Sequence, residues 1–569
     1  MESVPHILYI WPKAQHMRIS IPRPLLLLLG GLLLLNLLQA FFTELIWDEA
    51  YYWYYAQNPA WGYFDHPPMV AWMIRAGTLL FDNELGVRLL GCLMGIGTIY
   101  LLWELTDHPE KKVYWREFFV WIFSMTLLQA YGFLSLPDTS LLFFTTLFLF
   151  LYRGFLRQPG IVYAVLLGIC MAAMMYSKYH AALVIILVLA SNLRLLTNRY
   201  AWTALAISLL CYLPHLIWLY QNDFVSLKFH LFERPNQPYS FTKFTLGYVL
   251  NLVALFGLTF PLVYRALFQT KSRNLFEKAL LYLAYGFLTF FFASSFQRHV
   301  QTQWLIIICI PMGVLVAQRL MSEPRTRKWL WRLGLVNILI LGWLRVGLIY
   351  EPLFPGTYES HGNREWVQKA DSVAGGAPVV FENSYQRASM YQFYSRKPSF
   401  VLNNPYYRKN QYSIDGSEEL FRGQEVYYVY KGRQGGDHYY INAKGNRIYG
   451  QFIKDFDPLR RLEAGIYQQG KLVPGEQYRM WVYNPYQRDI PASDLQFGII
   501  YLDLAKRPKK VREIAYDAFR QDLLPARDTV RFNFILPAPV EPDVHFVRSI
   551  ISENGLPWGI NGAAQEIQP

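Results

Sequence analysis

Long apolar runs alternate with short polar segments through the first 351 residues of this 569-residue chain. A helix needs about 20 mostly apolar residues to cross a bilayer, and eleven runs come close to that length. They are 22–42, 85–104, 117–135, 140–156, 161–176, 181–197, 201–219, 244–265, 279–295, 304–319 and 329–350. We therefore predict a polytopic α-helical membrane protein with about 11 transmembrane helices. The pair at 161–197 also fits buried helices that do not cross fully.

The pattern changes after residue 351, where turn-forming residues separate short β-prone runs. A strand at 377–381, a helix at 383–394 and a further strand predict a small α/β unit. From about residue 445 the spacing of short strands is typical of a β-rich fold. The predicted organisation is a membrane domain (1–351) with outer-face loops at 43–84 and 220–243, an α/β domain (352–444) and a β-rich domain (445–569).

The composition excludes the ordinary soluble enzymes. Hydrophobic residues make up 53% of the chain and charged residues 17%, whereas soluble domains carry about 25% charged residues. The sequence has neither a metal motif with Cys/His spacing nor a glycine-rich nucleotide loop, which argues against a nucleotide-dependent cytoplasmic enzyme. Four cysteines lie in apolar runs, and none lies beyond Cys309, so no disulfide can form within the C-terminal part.

The distribution of Lys and Arg predicts the orientation. Residues 1–351 contain 27 Lys+Arg and 17 Asp+Glu, and residues 352–569 contain 27 and 24. With the N-terminus in the cytoplasm, 19 of the Lys and Arg residues of the first part fall on the cytoplasmic side and 8 on the other. We therefore expect a multi-pass protein of the cytoplasmic (inner) membrane with its C-terminal region in the periplasm. The excess of basic residues is then explained by the cytoplasmic loops and does not indicate nucleic-acid binding.

The first outer loop is the richest in polar groups. Carboxylates beside lipid are costly and usually functional, and Asp48 and Glu49 come six and seven residues after the first apolar run. The aromatic run at 50–55 predicts a helix along the interface, and Asp65 and His66 follow. An aromatic belt with an acidic helix N-terminus explains the aromatic run alone. Two aspartates and a histidine in one short segment favour a functional site.

Other outer loops add matching charges. Asp138 lies between the third and fourth runs, where a helix N-cap is the simpler explanation. Lys178 and the Arg298–His299 pair supply cations, and anchoring by long side chains at the interface explains them equally well. A single cap explains one acid, but it does not explain a polar group in every short outer loop.

As a set, these motifs resemble the C-type (GT-C) membrane glycosyltransferases. The closest resemblance is to the bacterial relatives of the protein O-mannosyltransferases and of the lipid A aminoarabinose transferase (glycosyltransferase families 39 and 83). It spans about 40–400, and nothing beyond about 445 is recognised. The matching elements are Asp48-Glu49, Tyr63-Phe64-Asp65-His66-Pro67-Pro68, Pro137-Asp138, Ser177-Lys178-Tyr179, Pro214-His215-Leu216-Ile217-Trp218 with Ser226 and Phe229-His230, and Ser384-Tyr385 through Phe393-Tyr394.

The resemblance implies a GT-C fold and an inverting sugar transfer from a polyprenyl-phosphate donor at the outer membrane face. In such enzymes the aspartate of the first loop, here Asp48, is the general base on the acceptor hydroxyl, as a carboxylate within hydrogen-bond reach can be. The leaving phosphate needs cations or hydrogen-bond donors. The expected site residues are Asp48, Asp138 and Glu49 for catalysis, Lys178, Arg298, His66 and Tyr179 for the donor phosphate, and Asp65, Tyr63 and His299 for the substrate.

Position 66 departs from the family pattern. The lipid A branch often has Glu followed by Lys before the proline, whereas this chain has Asp65-His66. A histidine there is expected to be a pH-dependent phosphate partner instead of a fixed cation. No cofactor is expected to be required, and if a divalent metal binds, Asp65 and His66 are its candidate ligands.

A transporter or flippase of lipid-linked sugars is the main alternative. It predicts repeated halves and broken helices at the bilayer midplane, whereas this sequence shows no inverted repeat and its acids cluster on one side. A non-catalytic receptor is a further alternative, although an inactive relative is expected to have lost Asp48 or Asp138. The expected partners are the lipid-linked donor, membrane lipids, and a lipid A, surface-glycan or protein acceptor. The sequence determines neither the sugar nor the acceptor.

Overall fold

The computed structural model describes residues 21–233, 238–468, 470–516, 522–539 and 542–568. The chain is almost entirely helical up to Ile349 and mainly strand after Pro378. The helices are α1 (Arg23–Phe42), α2 (Trp47–Gln57), α3 (Met69–Thr78), α4 (Glu84–Leu105), α5 (Trp115–Ser124), α6 (Thr126–Ala130), α7 (Pro137–Arg157), α8 (Ile161–Ser177), α9 (Ala181–Ser191), α10 (Arg199–Gln221), α11 (Val225–Lys228), α12 (Gly247–Phe256), α13 (Phe260–Gln269), α14 (Leu275–Ser294), α15 (Cys309–Ser322), α16 (Pro324–Ile349), α17 (Asn363–Ala374) and α18 (Tyr385–Ser395). Short 3₁₀ or π segments lie at Leu193–Thr197, Phe229–Glu233, Thr242–Leu246, Gly257–Thr259, Thr302–Ile308, Glu351–Leu353, Gln411–Ser413, Ser417–Phe421 and Ala492–Asp494.

Eight helical segments of the described part are long and apolar enough to cross a membrane. They are Arg23–Phe42, Glu84–Leu105, Pro137–Arg157, Arg199–Gln221, Thr242–Gln269, Leu275–Ser294, Thr302–Ser322 and Pro324–Ile349. The runs predicted at 161–176 and 181–197 form the shorter helices α8 and α9. The run at 117–135 is broken at Met125, whose backbone is extended between α5 and α6. The polytopic helical fold is therefore confirmed, and the count of eleven is not. Residues 1–20 and 234–237, which belong to predicted segments, lie outside the described residues.

A buried ion pair holds the loop that follows the first membrane helix. Arg88 of α4 and Glu49 of α2 are both fully buried, and their charged groups approach to 2.5 Å. Arg88 also donates to the carbonyl oxygens of Ala40, Thr43 and Glu44, at 3.1, 2.5 and 2.9 Å. The end of α1 and the start of α2 are therefore fastened to one guanidinium group.

The α/β unit is built on a mixed five-stranded sheet. Its strands are β1 (Val379–Glu382), β2 (Ser399–Leu402), β3 (Gln424–Val429), β4 (His438–Ile441) and β5 (Arg447–Phe456). Their order is β2-β1-β3-β5-β4, with β1 parallel to β2 and β3 and the other pairs antiparallel. The predicted boundary at 444 falls between β4 and β5 and so divides this sheet, since β5 pairs with β3 and β4. The β-prone composition of β5 does not show to which of the two units the strand belongs.

The β-rich unit contains the remaining strands. They are β6 (Glu463–Tyr467), β7 (Gln477–Tyr483), β8 (Ile490–Pro491), β9 (Leu495–Leu502), β10 (Pro508–Glu513), β11 (Leu523–Leu524), β12 (Thr529–Ile535), β13 (Phe546–Glu553) and β14 (Gln565–Glu566). A sheet of order β12-β7-β6 and a sheet of order β10-β9-β13-β14 contribute to one apolar core, which includes Met480, Phe497 and Val547. The two sheets packed on one core make this unit a β-sandwich.

Helix α2 joins the membrane domain to the α/β unit. Its aromatic residues are buried against that unit and not spread along a lipid interface. Tyr54 stacks on Tyr412 with ring centroids 4.0 Å apart, and Trp53 meets the edge of Phe393 at 5.1 Å. The aromatic run at 50–55 therefore anchors the α/β unit directly above the membrane domain.

The charge pattern of the loops predicts the side on which the C-terminal units lie. Alkaline phosphatase fused after Pro569 is expected to be active in a Gram-negative host, because the positive-inside rule places that end outside the cytoplasm. A reporter active only in the cytoplasm, fused at the same position, is the control. Activity of that reporter together with an inactive phosphatase would reject the orientation.

Candidate active site

Three carboxylates lie around the N-termini of α2 and α7. Asp48 lies in the first turn of α2, Asp138 in the first turn of α7, and Asp65 in the loop between α2 and α3. The charge of Asp48 acts on Asp65, and the charges of Asp48 and Asp138 both act on Tyr131. The structure thus brings these three predicted residues within electrostatic reach of one another.

Asp138 is paired. Its two carboxylate oxygens accept hydrogen bonds from Lys178 Nζ at 2.7 and 2.9 Å, and both side chains are buried. Pro137 begins α7 and Lys178 ends α8, so the pair also joins two membrane helices. The positive charge of Lys178 is therefore neutralised in this structure by Asp138.

Asp65 is paired as well, and its partner comes from the α/β unit. Both terminal nitrogens of Arg408 donate to Oδ2 of Asp65 at 3.1 Å, and the Tyr55 hydroxyl donates to Oδ1. Burial alone would raise the pKa of Asp65, but the charge of Arg408 and the hydrogen bond from Tyr55 act in the opposite direction and the pKa is lowered. Asp65 is therefore ionised at neutral pH.

Arg408 itself is held between aromatic rings. Its guanidinium lies 4.8 Å from the ring centroid of Tyr385 and 5.0 Å from that of Phe229. Such contacts orient a guanidinium and favour its charged form. The sequence prediction missed Arg408, and its only signal was the basic and aromatic run at 406–409, which looked like ordinary surface tyrosine.

Among the residues that the structure describes, no cation forms an ion pair with Asp48. Its side chain interacts with Gln386 of α18, and it is partly accessible to solvent although protein surrounds it. Burial and the charge of Asp65 raise the pKa of Asp48, while Gln386 and the more distant Arg408 and Lys178 act in the opposite direction. Among the three carboxylates, Asp48 is the one that remains available to accept a proton.

A second group of side chains surrounds His230. Its Nε2 lies 2.9 Å from the carbonyl oxygen of Asp65, and its ring centroid is 6.4 Å from those of His66 and Tyr179. Arg298 donates to the carbonyl oxygen of His230 at 3.0 Å and is exposed. The predicted phosphate-binding residues His66, Tyr179 and Arg298 are thus brought together, next to the Lys178–Asp138 pair.

His66 is not a cation in this arrangement. Burial lowers its pKa to about 3 although the nearby Asp65 acts in the opposite direction, and the charges of Lys178, His230 and Arg408 add to the effect of burial. A neutral imidazole can still donate or accept one hydrogen bond. The imidazole of His66 therefore does not titrate near neutral pH, unlike the pH-dependent cation that the sequence predicts.

Two predicted site residues, Tyr63 and Glu49, stabilise helix α2 and the loop that follows it. Tyr63 is buried, stacks on Tyr55 at 4.3 Å, and donates to the carbonyl oxygen of Tyr55. Its own carbonyl oxygen accepts a hydrogen bond from Ser226 at 2.8 Å. Glu49 accepts from the backbone N–H of Ser135 as well as from Arg88. These contacts favour structural roles for Tyr63 and Glu49.

Two further groups frame this region. Tyr179 and His215 lie 3.1 Å apart between their hydroxyl and Nε2, and Nδ1 of His215 is 2.7 Å from the carbonyl oxygen of Trp61. The sequence element around Pro214 and His215 thus positions Tyr179. The predicted substrate residue His299 is exposed and packs near Phe244, outside the contacts that join the other residues.

The oxygens of Asp65 do not fit a metal ion in this arrangement. One binds the Arg408 guanidinium and the other the Tyr55 hydroxyl. Within the described ranges, no group of three or more His, Cys, Asp and Glu side chains is arranged to hold a metal.

Comparison with known proteins identifies relatives of the membrane domain. Residues 65–218 match the family model for dolichyl-phosphate-mannose-protein mannosyltransferase. The chain is 28% identical over 216 residues to the lipid A galacturonosyltransferase RgtD of Rhizobium johnstonii. That alignment covers 36% of this chain, and the chain spans 44% of the length of this curated relative.

Solved structures extend the similarity beyond the aligned sequence. ArnT from Cupriavidus metallidurans bound to undecaprenyl phosphate superimposes with a TM-score of 0.53 at 13% identity, covering 75% of this chain and 98% of ArnT. The apo state of the same protein gives 0.52 at 13% identity, with 72% and 93% covered. At this identity the likeness concerns the fold.

Proposed function

We infer the activity from one premise, that this chain has the fold of the GT-C membrane glycosyltransferases. The fold and the resemblance predicted from the sequence are confirmed at that level. We propose that the protein is an inverting glycosyltransferase that moves a sugar from a polyprenyl-phosphate donor to an acceptor. The observation that supports this activity most directly is Asp48, an available carboxylate beside two carboxylates that are already paired.

Asp48 is the general base in this proposal. It takes the proton of the acceptor hydroxyl as the acceptor oxygen bonds to the sugar C1. The bond between C1 and the phosphate oxygen breaks at the same time, and the polyprenyl phosphate leaves with the bonding electrons. One attack from the opposite face inverts the configuration, so no covalent sugar–enzyme intermediate is needed. The raised pKa of Asp48 makes it a stronger base than an ordinary aspartate.

The group around His230 receives the phosphate of the donor. Arg298 is exposed, and among the described residues its side chain binds only a carbonyl oxygen. Its positive charge is therefore available to pair with a phosphate. Tyr179 and His66 add hydrogen-bond donors that are neutral before the reaction. Hydrogen-bond donors and cations held at the position where the leaving group gains charge stabilise the transition state.

Arg408 and Lys178 fix the carboxylates that do not act as bases. Each holds one aspartate in place by two hydrogen bonds. Because Arg408 belongs to the α/β unit, the site is complete only when that unit is docked on the membrane domain. The aromatic residues of α2 that pack on the α/β unit therefore also hold Arg408 at the site.

The relatives indicate the substrate class. The matched relative RgtD is a lipid A galacturonosyltransferase, and the matched ArnT structure holds undecaprenyl phosphate. We propose an undecaprenyl-phosphate sugar as donor and lipid A as the first acceptor to test, before surface glycans and proteins. The reaction then takes place at the periplasmic face of the inner membrane. No observation favours a transporter or flippase.

The purified protein tests this proposal directly. Incubated with defined undecaprenyl-phosphate sugars and lipid A, it is expected to consume one donor and to add that sugar to the acceptor with inverted anomeric configuration. Mass spectrometry measures the transfer, and NMR measures the configuration. Movement of the donor across liposomes without any sugar transfer would support the transporter instead.

Arg298 provides a test of phosphate binding. Arg298→Met is expected to weaken donor binding about 10- to 100-fold, since a hydrogen bond to a charged group contributes about 1.5–3 kcal/mol. Titration with undecaprenyl phosphate measures the affinity, and Lys243→Met, an exposed lysine of a neighbouring segment, is the control. Equal affinities in both variants would make Arg298 an interfacial anchor. Lys178 is a poorer target, because its removal leaves Asp138 buried and unpaired.

A further inference from the structure

A cavity of about 360 Å³ lies where the α/β unit meets the β-rich unit. Its size is within the range of ordinary small-ligand sites, about 300–1,000 Å³. The lining residues are Glu419, Arg422, Arg461, Pro485, Tyr486, Gln487, Arg488 and Arg527. Four arginines thus face one carboxylate, and none of these residues belongs to the candidate active site.

Three of the arginines are fixed by acidic groups around the cavity. Arg461 binds Glu418 at 2.8 Å, Arg422 binds Asp457 at 2.9 Å, and Arg488 binds the same aspartate at 2.6 Å. Glu418 and Arg422 belong to the α/β side, and Arg461 and Arg488 to the β-rich side. The guanidinium groups are therefore preorganised by contacts between the two units.

The fourth arginine adds a charge that the cavity does not balance. Arg527 is exposed, and within the described ranges its side chain has neither an ion pair nor a hydrogen bond. Its backbone is in the left-handed region, at φ 55°, which is uncommon for a residue other than glycine. The N–H of Arg527 donates to the carbonyl oxygen of Tyr486 at 3.2 Å, which holds it beside the cavity.

Two buried nitrogens of the same cluster also have no acceptor. Nη2 of Arg422 and Nε of Arg488 make no hydrogen bond to any described residue. Buried donors without a partner are rare in folded proteins and call for an explanation. A network that served only to join the two units would be expected to satisfy these donors and to balance the fourth charge.

We propose that this cavity binds a carbohydrate that carries phosphate or carboxylate groups. Guanidinium groups pair with both kinds of oxyanion through two parallel hydrogen bonds. Glu418, Glu419 and Asp457 balance three of the four charges, so the charge of Arg527 is left for an anionic group of the ligand. A nucleotide fits less well, because Tyr486 is buried and its ring faces Arg422 and Arg461 at 5.5 and 4.7 Å. No open aromatic face remains for a base.

The cavity is connected to the helix that carries Asp48. Tyr54 of α2 donates to Asp415 at 2.5 Å, and the short segment Ser417–Phe421, which follows Asp415, supplies Glu418 and Glu419. The ligand therefore binds on the same two-unit assembly that completes the active site. Its charged groups come either from the headgroup of a glycolipid or from a soluble anionic glycan.

Binding to the full-length protein, measured without donor, tests the proposal. The probes are diphosphoryl lipid A in mixed micelles and soluble trigalacturonate, with dephosphorylated lipid A and a neutral trisaccharide as their uncharged counterparts. At least one charged probe is expected to bind saturably and its uncharged counterpart at least tenfold more weakly. Which probe binds distinguishes the lipid-borne from the soluble source.

Arg527→Gln separates this site from any other anion-binding surface. The variant is expected to weaken binding tenfold or more and to keep the melting temperature, since it breaks no ion pair among the described residues. Gln487→Glu, which adds a negative charge to the cavity lining, is expected to weaken binding similarly. Arg479→Gln, an exposed arginine on β7, is the control and should bind as the wild type.

Failure of both charged probes to bind the wild type would overturn the proposal. Unchanged affinity in both Arg527→Gln and Gln487→Glu would do the same, because binding would then lie elsewhere. Neither result depends on sugar transfer, so an inactive preparation that still binds through Arg527 would reject the proposed enzyme activity and retain the cavity.

Discussion

Asp48→Asn is expected to lower turnover about 10²–10⁴-fold, the usual effect of removing a general base. Asparagine keeps the size and polarity of the side chain, so the fold and donor affinity should be retained. It cannot accept the proton of the acceptor at neutral pH. Single-turnover transfer from an undecaprenyl-phosphate sugar measures the loss, and thermal melting checks the fold.

The pH dependence provides a second measurement of the same residue. The carboxylate form of Asp48 is the active form, so the rate of the wild type should rise with pH through the raised pKa of Asp48. The fall on the acidic side then begins at a higher pH than for an ordinary aspartate, and it should disappear in the residual activity of Asp48→Asn.

A matched variant guards against effects of charge alone. Asp223→Asn removes an exposed carboxylate whose side chain is 87% accessible, and it should keep the wild-type rate. Near-normal turnover in Asp48→Asn, with an intact fold, would remove Asp48 from the mechanism. The base would then be sought at Asp138 or Asp65, although both are already bound by cations.

The sequence predicts the acidic part of the site because charge near a membrane is rare enough to stand out. Asp48, Asp65, Asp138 and Lys178 lie within short loops between apolar runs, and the structure places them together. Arg408 could not be found in this way. It lies 343 residues from Asp65, in a soluble region where an arginine beside two tyrosines is unremarkable.

Adjacent residues show the same limit at finer scale. Asp48 and Glu49 are equivalent in a pattern of polar positions, yet successive residues of a helix point about 100° apart. Glu49 therefore pairs with the buried Arg88, whereas the side chain of Asp48 points elsewhere and interacts with Gln386 of α18. Apolar run length has a similar limit, because it does not show that the run at 117–135 breaks at Met125.

Arg88→Met is expected to destabilise the protein more than any other single change described above. It leaves Glu49 buried without its cation, and breaking a buried pair in this way typically costs about 3–5 kcal/mol. It also removes the donor to three backbone carbonyls at the junction of α1 and α2. Thermal melting of the detergent-solubilised protein measures the effect, and Arg75→Met, an exposed arginine of α3, is the control.

Glu49→Gln then decides between a structural and a catalytic role for Glu49. If Glu49 only holds the loop, the variant should have a lower melting temperature than the wild type. The protein that stays folded should then turn over at a near-normal rate. A wild-type melting temperature combined with lost turnover would instead make Glu49 a catalytic residue. The structural outcome is expected, because Glu49 is fully buried and its oxygens already accept from Arg88 and from the backbone of Ser135. The position of Asp48 then depends on the Glu49–Arg88 ion pair, since Asp48 and Glu49 lie in the same turn of α2.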